Sequence, residues 1–85
     1  MSDAPCQTPG LDITEVDDGL VVFEPTARRV HHLNVTLTLV FELCTGDHSP
    51  AQITELVQTA FGVASPPHAE VLAALDSLRT ELLVV

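Results

Sequence analysis

No lysine occurs in this chain, nor any tryptophan or tyrosine, and three arginines face twelve carboxylates over 85 residues, for a formal net charge of -9. Nucleic-acid binding rests on Lys and Arg neutralising phosphates. Only Arg28, Arg29 and Arg79 could do so, so no nucleic-acid partner is expected. The same shortage argues against an anionic membrane surface. The partner that this charge attracts is a basic peptide or a basic protein face. Aromatics are limited to Phe23, Phe41 and Phe61, so the core must be aliphatic. The apolar run Val35 to Cys44 falls short of the roughly 20 residues that span a bilayer. Met1 to Pro5 has neither the basic region nor the apolar run of a signal peptide, and a cytoplasmic protein is expected. Cys6 and Cys44 lack CxxC spacing and read as reduced thiols rather than a disulfide framework.

What is present suffices for one small domain. A hydrophobic content of 46% and a mean hydropathy of +0.32 exclude a disordered chain despite the net charge. Residues 1–10, with two prolines, a glycine and no periodicity, read as a flexible N-terminal segment, and 11–85 as a single domain.

Within that domain, Leu11 to Val16 alternates imperfectly, as a strand does. Asp18-Gly19 between apolar segments signals a two-residue hairpin, whose turn residues are expected at positive φ. Leu20-Val21-Val22-Phe23 is apolar on both faces, which suits a central strand covered on two sides. Pro25 to Arg28 forms the next turn, and Arg29 to Leu33 a third strand at the sheet edge. An edge exposes unpaired N–H and C=O groups that a protein must cover, disrupt or use. Three strand-like segments followed by three helices, with an open edge and no catalytic constellation, suit a protein that holds an extended peptide.

Three helices follow, each with a start signal. Asn34 is a good N-cap, and Leu37, Val40, Phe41 and Cys44 share one stripe, closed by Gly46 as a C′ residue. Ser49-Pro50-Ala51-Gln52 is a capping box with proline at the first helical position. Its helix carries Ile53, Leu56, Val57 and Ala60 on the expected inner face. Ser65-Pro66-Pro67 is expected to cap the last helix in the same way. There Val71, Ala74, Leu75, Leu78 and Leu82 form the expected core stripe, beside a second stripe of Glu70, Ala73, Ser77 and Glu81. That second stripe reads equally as a solvated helix face.

The order and spacing of His32-Leu33-Asn34, of Leu39 to Leu43 ending at Gly46, and of Ile53 through Phe61-Gly62-Val63 resemble the PqqD-like proteins, the recognition elements for precursors of ribosomally synthesised, post-translationally modified peptides. The resemblance runs from about Leu11 to Leu83. It implies an α+β, winged-helix-like fold, a three-stranded antiparallel sheet followed by three helices. It also implies a peptide chaperone without catalytic activity, cofactor or metal. Such a protein binds a precursor's leader segment as an added strand on the third strand, against the third helix, and delivers it to a modifying enzyme. The enzyme could be a radical-SAM protein, a leader peptidase, a cyclodehydratase or another maturase. Carried over by position, the peptide-binding residues are Arg29, Val30, His31, His32 and Leu33 on the strand, and Glu70, Ala73, Ala74, Ser77, Leu78 and Glu81 on the helix. The chain departs from the family pattern in carrying Phe41 where many relatives have a larger aromatic, and in Glu81-Leu82-Leu83 where a Gly-Leu ending is common.

Other readings make their own demands. A winged-helix transcription regulator needs a basic recognition helix, and the last helix here offers Arg79 alone. A scaffolding subunit of an enzyme complex would bind the enzyme but no peptide. A metal site would need His31, His32, His48, His68 or Cys44 to converge, yet neighbouring strand residues point to opposite faces and zinc-like ligand pairs are missing. Cys44 sits on an apolar stripe, where a cysteine behaves as a small core residue, and no set of nucleophile, base and orienting group completes an active site.

Overall fold

The computed structural model describes residues 4–85. Its element order is β1 (Asp12–Val16), β2 (Gly19–Glu24), β3 (Arg29–Leu33), α1 (Val35–Leu43), α2 (Pro50–Phe61) and α3 (His68–Thr80). The sheet is antiparallel in the order β1-β2-β3. In its register, Leu20 faces Leu33, Val22 faces His31 and Glu24 faces Arg29. The helices cover one sheet face, and the core runs from Val22 and Leu33 through Val40, Phe41, Ile53 and Val57 to Leu75 and Leu78.

The outer face of the sheet is uncovered. Along β2, Leu20, Val22 and Glu24 are buried while Phe23 is exposed, the period of two of a half-buried strand rather than the double covering expected from its composition. The two hairpins also differ from expectation. Asp17 and Asp18 occupy the first turn without positive φ. In that hairpin Gly19 alone takes positive φ, at +152, and a Cβ there would also lie 1.9 Å from the Leu33 carbonyl oxygen. The second turn is organised by Glu24, only 4% exposed, whose carboxylate accepts the amides of Thr26 (3.0 Å) and Ala27 (2.6 Å). Arg28 completes that turn at φ +55.

Local caps account for two of the three helix starts. Asn34 accepts the Leu37 amide at 2.9 Å, and the Ser49–Gln52 capping box is closed in both directions. The third differs: α3 begins with Pro67 as its N-cap and has no side-chain cap, so Ser65 stands too early to serve. On α2 the buried residues are Ile53, Thr54 and Val57. Leu56 and Ala60 face out, and the Thr54 hydroxyl is satisfied by the Pro50 carbonyl at 2.9 Å. Helix α3 ends before Leu82, which takes φ +62 and is 57% exposed, so that Leu83 enters the core in its place.

The described part of the lead-in is paired with the chain's other end; residues 1–3 lie outside the described residues. Cys6 and Val85 exchange both backbone hydrogen bonds (3.1 and 2.8 Å), and the Thr8 amide donates to the Leu83 carbonyl. Carbonyls at the end of an α-helix lack intrahelical donors, and Gln7 supplies two. Its backbone N–H donates to Cys44, and its side-chain amide to Phe41. Gly46 serves this strap rather than closing α1: Cys44 is the C-cap, and the Gly46 amide donates to the Pro5 carbonyl at 3.0 Å.

Candidate functional site

Among the described residues both outer strands have a free edge, and that of β3 looks across a cleft to α3. No Cα of β3 lies within 8 Å of a Cα of α3, although both elements pack on α1. Among the described residues no strand pairs with the outer side of β3. The result is a backbone ladder open towards a cleft.

Two connected hollows form that cleft. One, about 270 Å³, is lined by the whole run Val30 to Leu33 on the strand side and by Ser77, Leu78 and Glu81 on the helix side, with Leu37 and Leu83 also present. The other, about 310 Å³, continues along α3 past Ala74 and Ala73 to Glu70, sharing Leu37 and Ser77 with the first. Small side chains at Ala73, Ala74 and Ser77 form the helix side of this second hollow. Apolar walls with few polar groups at the margins are the usual make-up of a binding cleft.

Polar groups stand at both ends, Glu70 at one and a linked set of three at the other. Glu81 Oε2 lies 3.5 Å from Arg29 Nη1 and 3.7 Å from His31 Nδ1. His31 Nε2 is buried and has no hydrogen-bond partner. His32 points the other way, its Nε2 3.1 Å from Asp18 Oδ1 on the outer side of the sheet. The two histidines therefore serve different faces, as their adjacency on a strand requires. Among the described residues no group of three or more His, Cys, Asp or Glu side chains is placed to hold a metal ion. Cys44 is wholly buried and donates its S–H to the Val40 carbonyl. Burial pushes its thiol up to about 11, partly offset by the positive charge of Arg79, so it is a protonated core residue at neutral pH. Both cysteines are free thiols. No helix of the described residues is long and apolar enough to cross a membrane.

The sequence matches the PqqD family, described as coenzyme PQQ synthesis protein D, over residues 19–84. The chain belongs to the PqqD family. No match was found among curated proteins. Among solved structures the chain is similar to a lasso peptide synthetase B1 complexed with its leader peptide, at 21% identity and a TM-score of 0.77, covering 96% of this chain and 98% of that one. That likeness establishes the shared fold.

In this PqqD-family chain ten of the eleven residues singled out from the sequence border the cleft's hollows, His32 among them although its imidazole is turned to Asp18, and Arg29 reaches the cleft through Glu81. Sequence reasoning missed Leu37 and Leu83, which complete the apolar wall. In the sequence Leu37 reads as part of the core stripe alone, and Leu83 can be found only by knowing that Leu82 leaves the helix at positive φ. The Glu81 link to Arg29 and His31 was also missed, because it joins positions about 50 residues apart.

Proposed function

We propose that this protein binds the leader segment of a ribosomally synthesised precursor peptide by strand addition at β3, beside α3, and delivers it to a maturation enzyme. It does no chemistry of its own. The observation that carries this reading is the open β3 ladder facing the cleft that it shares with α3. A guest strand there would form main-chain hydrogen bonds to β3 and place alternate side chains into the hollows against α3, the two components of β-augmentation. The solved relative was captured with a leader peptide, which supports the same occupant here. The scarcity of cations supports a peptide over DNA, since the last helix presents Arg79 alone beside Glu70 and Asp76, with Glu81 at its C-cap.

The test is a titration of a fluorescein-labelled leader, taken from the precursor produced in the same biosynthetic system, into the protein. Saturable binding with Kd about micromolar, equivalent to about -8 kcal/mol, is expected. Absence of saturation, with enzyme binding retained, would replace this reading by the scaffolding one.

A further inference from the structure

A second and larger hollow, about 450 Å³, lies between the β1–β2 hairpin, α1 and the C-terminal end of α2. It is separate from the peptide cleft. Val35, Thr38, Leu39 and Glu42 of α1 line it, whereas Thr36 and Leu37 line the cleft. At 3.6 residues per turn these two sets are centred roughly 160° apart around the helix. Helix α1 therefore stands as a wall between two recesses.

The chemistry of this hollow is specific. Its floor is apolar, from Val16, Leu20 and Leu39, and its margin carries Glu15, Asp17, Asp18 and Glu42, with no cationic side chain in the lining. Asp18 is engaged by His32. Among the described residues Glu15, Asp17 and Glu42 have no ion-pair partner. Phe61 is 42% exposed and Val35 56% exposed, so two large apolar side chains are left at the mouth. An exposed apolar patch rimmed by polar groups marks an interaction site, and unpaired charge of one sign selects the opposite sign in its partner.

We propose that this hollow is a docking face for a partner protein, receiving an apolar side chain flanked by lysines or arginines. Because α1 separates it from the β3–α3 cleft, both can be occupied together. A protein seated here would be held next to a peptide seated there. The docking face does not depend on what the cleft binds.

A fluorescein-labelled hexapeptide, Arg-Lys-Leu-Phe-Lys-Arg, serves as the probe, with amide chemical-shift mapping to locate it. Three exposed carboxylates are reversed one at a time: Asp17→Lys and Glu42→Lys at the hollow, and Glu55→Lys on α2 outside it. Each changes net charge equally, so general attraction to an acidic protein affects all three alike. The two hollow variants are expected to weaken binding by roughly fivefold or more and Glu55→Lys by less than about twofold, with wild-type shifts clustered at Val35 to Leu39 and around Phe61. Equal weakening by all three, shifts confined to the β3–α3 cleft, or no saturable binding to the wild type would each overturn the proposal. Loss of leader binding at the cleft would leave it standing.

Discussion

Arg29 on the open strand and Glu81 just past the end of α3 meet at 3.5 Å, an arginine–carboxylate pair that spans the cleft. The pair is exposed, at 67% and 41% for the two side chains, so its own contribution to stability is at most about 1 kcal/mol. Its effect is on the field inside the cleft. Glu81 is shared between Arg29 and His31, whereas Glu70 at the far end has no ion-pair partner among the described residues. If the guest is basic, Glu70 is the group that attracts it. Glu70→Gln should therefore flatten the salt dependence of leader affinity, and Glu81→Gln should change it less. Isothermal titration at several salt concentrations measures both slopes. Equal slopes in the two variants would contradict this assignment.

Leu82 holds a backbone conformation that suits glycine. At φ +62 a residue with a Cβ is strained by about 1–2 kcal/mol, while its exposed side chain loses little on removal. Glycine adds an unfolded-state entropy cost of about 0.5–1 kcal/mol. Leu82→Gly should accordingly stabilise the fold by about 0.5–1 kcal/mol, seen as a rise of several degrees in Tm. A lower Tm would mean that the side chain packs more than its exposure indicates.

Glu24 couples the β2–β3 turn to pH. Its carboxyl is held below the usual 4.5, chiefly by the Ala27 amide, against the opposing effect of desolvation and with further help from Thr26. A carboxyl lowered on folding contributes stability that is fully present above its unfolded value and is lost as pH falls through the folded one. The native protein should thus lose Tm below about pH 4.5. Glu24→Gln should be less stable at neutral pH and show a shallower acid limb, measurable by circular dichroism melts across pH. An unchanged acid limb would remove Glu24 from this role.

The elements that were legible in the sequence are those decided locally. Asn34 and the Ser49–Gln52 pair announce their helices because a cap and its amides lie within three residues of each other. The Arg29 to Leu33 strand and the Ala73–Ser77 stripe could be placed beside one cleft only through the resemblance to the PqqD-like proteins, since no local signal sets that strand next to that helix. What escaped was decided at a distance. Leu82 and Leu83 both fit the helical stripe, and only the turn at the end of α3 determines which is buried. Cys6 to Thr8 has no periodicity of its own and acquires structure from carbonyls at Cys44 and Leu83. Glu24 continues an inward-facing apolar pattern, yet is accepted there because two turn amides bind its carboxylate. The large hollow on the far side of α1 was equally invisible, since it is assembled from four elements.

Strand addition makes one demand that other modes of peptide binding do not. Guest residues must alternate between those whose N–H pairs with β3 and those whose N–H faces away. N-methylating the leader one residue at a time tests this without altering the protein. Affinity should fall by about tenfold at every second position and change little at those between, as expected for loss of a hydrogen bond and close backbone approach. Losses that follow side-chain identity with no period of two, or no losses at all, would contradict docking on the β3 edge.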